Sequence, residues 1–209
     1  MLLLSVLTSC LGGCAGKRPA EPVVDEQGRL RGRGFTVSPP QGKSWTIAEK
    51  TWDSVVFIKS PSSERHAEGH GKAYAQASLG VVTLPAGTTA STDQAGFVSA
   101  AQNFLSDRFR GLPRVSLMDL KTTPYSLNGA LCAKFEAVQV ERYTARRNLA
   151  TRLEFLNRGF LCRHPENRTV VVHGFFNKTY RRLSPTLLDA ETEKEADRFL
   201  ESVVLSPLE

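Results

Sequence analysis

The chain has 209 residues, with 27 lysines and arginines against 21 aspartates and glutamates, and a formal net charge of +6. This length suits one domain or a small pair, and a domain of this size folds without needing a metal. The basic residues are spread along the chain and lack interleaved aromatic blocks, which argues against nucleic acid as a partner. The mild positive charge instead favours anionic lipid headgroups or acidic glycans.

The N-terminal segment MLLLSVLTSCLGGC carries no charged side chain and is rich in leucine. It is too short for a membrane-spanning helix, which needs about 20 apolar residues. It fits the apolar region of a signal peptide, which has about 7–15. Small residues separate Leu11 from Cys14, and small residues also separate Leu7 from Cys10. The segment resembles the signal peptide of bacterial lipoproteins, in which cleavage precedes a cysteine that then carries the lipid.

Cys14 is the favoured lipid site, with Cys10 as the alternative. Cleavage before Cys10 leaves a very short apolar region and strands Cys14 as an odd thiol in an oxidising compartment. The resemblance implies a signal peptide over residues 1–13 and a palmitate-bearing anchor. Ala15, rather than an aspartate, follows Cys14, which by the same resemblance implies the outer membrane, with the domain facing the periplasm. An ordinary cleaved signal or a buried apolar N-terminus remains the alternative.

Residues 14–34 combine proline, glycine and mixed charges with isolated apolar residues. This composition predicts a flexible tether. A single globular domain is expected over residues 35–209.

Strands and two helices are predicted in this domain from the spacing of apolar residues. A helix over 92–110 is expected to start at Thr92, and its apolar stripe comprises Phe97, Ala101, Phe104, Leu105 and Phe109. A closing helix over 190–204 should bury Ala196, Phe199, Leu200, Val203 and Val204. Strands are predicted over 35–38, 45–47, 52–58, 74–84, 115–120, 131–143, 150–163 and 169–176.

The predicted fold class is α+β. Asn128-Gly129 is a strong hairpin signal, and the alternating strands favour antiparallel pairing. We therefore expect an antiparallel sheet of about six or seven strands with helices packed on it, an α/β/α-like sandwich.

Cys132 and Cys162 are predicted to form a disulfide. If their strands fold as a hairpin about Arg147, the two cysteines lie opposite one another, within disulfide range. An oxidising periplasm favours the bond. The same register pairs Glu136 with Arg158 and Val138 with Leu156, both of which are favourable.

A reactive thiol assisted by His164 is the alternative interpretation of these cysteines. Residues two apart on a strand share a face, so Cys162 and His164 could meet. The sequence has no CxxC motif and no evident third partner, and we therefore favour a structural disulfide and assign no catalytic residue.

Glu64, His66, Glu68 and His70 form a short acidic and histidine-containing cluster. On a helix, His66 and His70 would share a face and could hold zinc or copper with the carboxylates. The interspersed glycines weaken any helix, so a solvated loop is favoured. A metal carrier is retained as a third hypothesis, and no metal ligand or cofactor is assigned.

Four arginines gather at the tip of the predicted hairpin: Arg142, Arg146, Arg147 and Arg152. They are a candidate binding site for anionic headgroups, phosphates or an acidic protein surface. The alternative is a solvated tip with surplus charge.

Three short segments carry a resemblance at the level of the fold. They are Phe35-Thr36-Val37-Ser38-Pro39-Pro40 with Trp45 just after it, the Leu127-Asn128-Gly129-Ala130 turn, and the strand and helix from Thr169 to Val204. This arrangement resembles the PsbP-like fold, which includes small periplasmic lipoproteins. The resemblance implies an accessory or assembly protein, and it implies no catalytic residue because the fold has no shared catalytic set.

The leading functional hypothesis is a membrane-anchored, non-enzymatic lipoprotein that binds or helps assemble an envelope protein, or binds an anionic lipid or glycan. The alternative is an envelope enzyme, a hydrolase with an unrecognised active site between sheet and helix. A deep pocket with convergent polar groups and shifted pKa values would favour the enzyme. A flat apolar or basic patch would favour binding.

Overall fold

The computed structural model describes residues 21–59, 74–84, 93–142, 153–181 and 190–208. These ranges contain two helices, α1 (Gln94–Arg110) and α2 (Ala190–Glu201). They also contain eleven strands: β1 (Val23–Val24), β2 (Leu30–Gly32), β3 (Phe35–Val37), β4 (Trp45–Thr51), β5 (Ser54–Lys59), β6 (Tyr74–Thr83), β7 (Val115–Leu127), β8 (Ala130–Glu141), β9 (Leu153–Arg163), β10 (Val170–Arg181) and β11 (Val204–Leu205).

The strands form two antiparallel sheets. The larger sheet has seven strands in the order β4-β5-β6-β10-β9-β8-β7, and the smaller has four in the order β1-β2-β3-β11. The predicted α+β class is confirmed. The additional sheet was not predicted, because its strands have only two or three residues each.

The β7–β8 hairpin turns at Asn128 and Gly129, as predicted. Both residues have positive φ, 51° and 78°. A two-residue turn with positive φ at both positions matches the right-handed twist of the flanking strands, and asparagine followed by glycine tolerates it best. This turn starts the long pairing that places β8 beside β9.

The predicted register between β8 and β9 is confirmed. Cys132 lies opposite Cys162, and the pairs Glu136–Arg158 and Val138–Leu156 follow from the same alignment. The structure joins the two cysteines by a disulfide with an S–S distance of 2.10 Å. Both are fully buried, so the bond lies inside the core.

The large sheet has a hydrophobic core on each face. On one face α1 buries Phe97, Ala101, Leu105 and Phe109. On the other face, α2 and the small sheet pack over the disulfide, and the buried helical side here includes Ala196, Phe199 and Leu200. Strand side chains alternate between these two cores, which gives the layered arrangement expected from the sequence.

Two helix boundaries differ from the prediction. The cap of α1 is Asp93, whose carboxylate accepts a hydrogen bond from the Gly96 amide at 2.8 Å; the predicted Thr92 lies outside the described residues. Helix α2 ends at Glu201, so Val204 belongs to strand β11 and is 39% exposed. Val204 and Leu205 pair with β3 instead of forming a further turn of the helix.

The tether predicted over residues 14–34 does not extend to residue 34. Strands β1 and β2 lie inside this segment, and Leu30 is buried. The Asp25 carboxylate stabilises the turn between them by accepting hydrogen bonds from the amides of Gln27 and Arg29. The composition of the segment suggested flexibility, but this local turn and pairing with β3 order it.

Within the described ranges, neither helix combines the length and the apolar character needed to cross a bilayer.

Candidate functional site

A cavity of about 360 Å³ opens between the side of α1 and one face of the seven-stranded sheet. Helix α1 packs on β7 and β8, while the cavity also extends over β9, β10 and β6. Its volume lies at the lower end of the range for small-molecule sites, about 300–1,000 Å³.

Phenyl and aliphatic side chains form the cavity walls. They come from α1 and the residues just after it, and from strands β8 and β9, and include Phe104, Leu105, Leu112, Phe135, Phe155 and Leu161. Rings and branched chains of this kind offer a large contact area to a flat apolar molecule.

A row of carboxamides crosses the floor of the cavity. Asn157 on β9 donates a hydrogen bond to Gln139 Oε1 at 3.0 Å and accepts one from Asn177 Nδ2 at 2.7 Å. Gln139 Nε2 donates to the Phe109 carbonyl oxygen at 3.2 Å, and Thr179 donates to Asn177 Oδ1 at 3.0 Å. The sheet register places Asn157 opposite Asn177. These buried amides therefore hold one another in fixed orientations.

Gln76 and Ser78 continue this polar floor on β6. The register sets Gln76 opposite Asn177 and Ser78 opposite Phe175, and both side chains line the cavity. In the part of the chain that the structure describes, neither side chain has a hydrogen-bond partner. Their polar groups are thus free to face a ligand.

His173 lies on β10 and also lines the cavity. Burial lowers the pKa of its imidazole to about 4, and the positive charge of Arg108 contributes to the shift. The imidazole is therefore neutral at pH 7. It stands opposite Gly80, where a Cβ atom would lie 2.9 Å from Nε2, so a glycine on β6 makes room for the ring.

Arg108 brings a positive charge to the cavity from α1. The side chain is exposed and belongs to the lining. No aspartate or glutamate is among the described residues that line the cavity, and none of the described carboxylates forms an ion pair with Arg108. The charge on this side of the cavity is therefore positive and available.

Most site residues predicted from the sequence lie outside the described residues. These are Cys10, Cys14, His66, His70, Arg146, Arg147 and Arg152. Arg142 is described: it is exposed, and its Nε donates to the Val115 carbonyl oxygen at 2.8 Å. Since Val115 lines the cavity, this arginine sits at the same end of the fold.

His164 has a structural environment. It is buried, its Nε2 lies 2.8 Å from the Ser206 carbonyl oxygen, and its Nδ1 accepts a hydrogen bond from the Glu166 amide at 3.2 Å. Both ring nitrogens are therefore engaged by backbone groups. The reactive-thiol interpretation, in which His164 would assist Cys162, therefore has no support in this geometry.

Over the described ranges, no group of three or more histidine, cysteine or acidic side chains is positioned to hold a metal ion.

The polar residues of the cavity floor were not predicted from the sequence. Gln76, Gln139, Asn157 and Asn177 come from four different strands, so they form no local motif. One weak signal exists: each places an amide on a strand that is otherwise mostly apolar or small. A buried amide at such a position needs partners, and the cross-strand register supplies them.

No protein-family model matches the chain, and no curated protein matches its sequence. Similar solved structures include the Saccharomyces cerevisiae Ran-binding protein Mog1p, with 12% identity and a TM-score of 0.48, over 90% of this chain and 97% of that one. A mutant of Mog1 gives 12% and 0.48, over 91% and 97%. Cyanobacterial PsbP (CyanoP) from Synechocystis gives 11% and 0.39, over 96% and 99%. A PsbP structure, from the family that the sequence resemblance names, is therefore among these similar structures.

Proposed function

We propose that this protein is a lipoprotein anchored through Cys14 in the outer membrane of a bacterial envelope. Its domain faces the periplasm and acts as a non-enzymatic binding module, with the cavity beside α1 as its ligand site. An envelope protein, or an anionic lipid or glycan, would meet the surface around the exposed Arg142.

The anchor is supported by the residues around Cys14. An apolar run without charges leads to Leu11-Gly12-Gly13-Cys14, as in the lipoprotein signal peptides that this segment resembles. The buried disulfide between Cys132 and Cys162 suits an oxidising compartment, where such bonds persist.

The carboxamide row carries the proposal of a binding module. Its side chains neither ionise near neutral pH nor act as nucleophiles, and their mutual hydrogen bonds fix the donors and acceptors they present. A preorganised polar floor beside an apolar wall is the usual composition of a small-molecule site.

The cavity has convergent polar groups and a residue with a shifted pKa, so it meets the criterion given above for the hydrolase alternative. The direction of the shift, however, does not suit catalysis near neutral pH. The pKa of His173, lowered to about 4, argues against that alternative. A general base works best when its pKa lies near the working pH, and this imidazole binds protons weakly at pH 7. The shift therefore favours recognition over proton transfer.

The anchor is tested with the full-length chain and two matched variants, Cys14→Ser and Cys10→Ser. Cells fed labelled palmitate should label the wild type and Cys10→Ser but not Cys14→Ser, and the intact mass should show a lipidated chain that begins at residue 14. Labelling lost only in Cys10→Ser would show that Cys10, and not Cys14, carries the lipid. An unmodified chain that begins at Met1 would reject the anchor altogether.

The binding module is tested with a neutral fluorescent probe, N-phenylnaphthylamine, on the detergent-extracted protein. We expect one saturable site, which Ser78→Phe fills and thereby abolishes. The matched control Thr46→Phe lies on an exposed position of β4 and should bind the probe normally. Equal binding by both variants would show that the cavity is not the site.

The enzyme alternative is tested on naphthyl acetate. Hydrolysis by the wild type that disappears in His173→Gln would favour the hydrolase. No turnover above the rate of a heat-inactivated sample is expected.

A further inference from the structure

The polar groups of the cavity fall into two classes, those that are hydrogen-bonded to other protein atoms and those that are not. The amides of Gln139 and Asn157 are hydrogen-bonded to protein atoms. By contrast, Gln76, Ser78 and Arg108 have no hydrogen-bond or ion-pair partner within the described ranges, although all three line the cavity. A ligand that fills the cavity must therefore satisfy Gln76 and Ser78 or leave them buried without partners, which is costly. Arg108 is exposed and stands at the same lining as an unpaired charge.

The charge of the lining selects among ligands. Among the described residues of the lining, Arg108 is the one cation, since burial keeps the neighbouring His173 neutral at pH 7, and these residues include no carboxylate. A cationic ligand would meet an unopposed like charge, whereas an anionic oxygen would gain a charge-assisted hydrogen bond. The guanidinium fork can donate paired hydrogen bonds to either carboxylate or phosphate oxygens.

The arrangement of apolar and polar groups in the lining restricts the kind of ligand further. Phe104, Phe135 and Phe155 supply flat apolar faces, while Gln76 and Ser78 supply hydrogen-bonding groups on the sheet side. A simple acyl chain would satisfy the apolar faces but would desolvate the Gln76 amide and Ser78 hydroxyl without replacing their hydrogen bonds. A ring system with a polar edge satisfies both.

We propose that the cavity binds a small organic anion, whose charged oxygen group lies against Arg108. Its flat apolar body lies among the phenyl rings, and its polar edge hydrogen-bonds Gln76 and Ser78. The proposal rests on the cavity being the ligand site of the binding module, and it adds the class of ligand.

The ligand class is tested by displacement of N-phenylnaphthylamine from the full-length protein. Naphthaleneacetate and naphthaleneacetamide share one ring system and differ in charge, so their comparison isolates the anionic group. We expect the carboxylate to displace the probe on the order of tenfold more effectively than the amide, the effect of one hydrogen bond to a charged group. Naphthyl phosphate distinguishes a phosphate preference from a carboxylate preference.

Two arginine variants test which positive charge causes the preference for the anionic ligand. Arg108→Gln should remove the preference for naphthaleneacetate and leave binding of the amide and of the probe within about twofold. The matched control Arg110→Gln is exposed on the same helix outside the lining and should retain the preference. Loss of the preference in both variants would show that it comes from the overall surface charge and not from Arg108, and would reject the proposal.

The floor is tested with Gln76→Leu and decanoate. This variant should weaken both naphthalene ligands by several-fold and improve binding of decanoate, because an apolar floor no longer loses hydrogen bonds. If decanoate already binds the wild type more tightly than naphthaleneacetate, the site is an acyl-chain site and the inference fails, while the binding module stands. If even the neutral probe does not bind, the proposed function itself fails at this cavity.

Discussion

Nε2 of His164 lies 2.8 Å from the carbonyl oxygen of Ser206, across 42 residues of chain. The Ser206 amide in turn donates to the Gly34 carbonyl oxygen at 3.1 Å. The histidine thus links the end of β9 to the C-terminal segment, and that segment to the strands that begin the domain. The buried ring thereby connects a strand of the large sheet to the C-terminal segment and, through that segment, to the small sheet.

Replacing His164 with alanine should lower the free energy of unfolding by about 2–4 kcal/mol, because the Ser206 carbonyl loses its partner and a void remains. Urea denaturation measures the loss. Amide exchange at Ser206 should accelerate more than exchange at Val172 in the centre of the large sheet. Uniform acceleration at both sites would contradict a local role for the ring.

Lys59 and Glu195 form a second long-range contact, and removing the lysine alone should be costly. Their side chains are 15% and 7% exposed, and Glu195 Oε2 accepts from both Lys59 Nζ and Trp45 Nε1, the latter at 2.9 Å. Lys59→Met leaves a buried carboxylate without its cation, which should cost about 3 kcal/mol.

Adding Glu195→Gln to that variant should recover much of the loss, since the amide is neutral and still accepts from Trp45. Thermal and urea unfolding of the single and double variants give the comparison. Equal stability of the two would show that the buried charge carries no penalty.

The disulfide closes a loop with a sequence separation of 30 residues between Cys132 and Cys162. The double variant Cys132→Ala/Cys162→Ala should lose about 3–4 kcal/mol on the chain-entropy model. Both sulfurs are buried, so a reductant should open the bond only once denaturant is added, with a gain of two hydrogens in mass. Rapid reduction of the folded protein would contradict this burial.

His173 should make stability depend on pH. Its pKa is about 4 when folded against about 6.5 when unfolded, so the unfolded chain binds the proton more strongly. The stability contributed by the neutral ring is complete above about pH 6.5 and declines towards pH 4, by up to about 3 kcal/mol.

The matched variant for this effect is His173→Gln, which cannot titrate. Subtracting its urea-denaturation free energies from those of the wild type removes the contribution of the carboxylates. The difference should shrink or change sign between about pH 7 and about pH 4. Parallel curves across that interval would show that the ring titrates normally in the folded protein.

The elements of the large sheet could be predicted because each has enough residues to show a period. The apolar stripe predicted α1, and a hairpin assumed to fold about Arg147 predicted the register of Cys132 opposite Cys162 that the structure has. Strands β1, β2 and β11 are too short for that, and they exist because β3 pairs with its neighbours.

The cavity was not predictable for a different reason. Arg108 belongs to a helix and Asn177 to a strand 69 residues later, so their proximity depends on how α1 lies across the sheet. Residue spacing along the chain carries no information about that packing. The sequence shows which strand positions are polar, but it does not show which residues pack beside them in the fold.

Strands β4 and β7 form the two edges of the large sheet, and each is irregular. The pairing register shifts between Ile47 and Glu49 on one edge and between Leu117 and Asp119 on the other, and Pro124 removes an amide donor from β7. Bulges, charges and proline all make an edge a poor template for another strand. Many copies crowded on one surface should therefore remain separate molecules instead of joining sheet to sheet into aggregates.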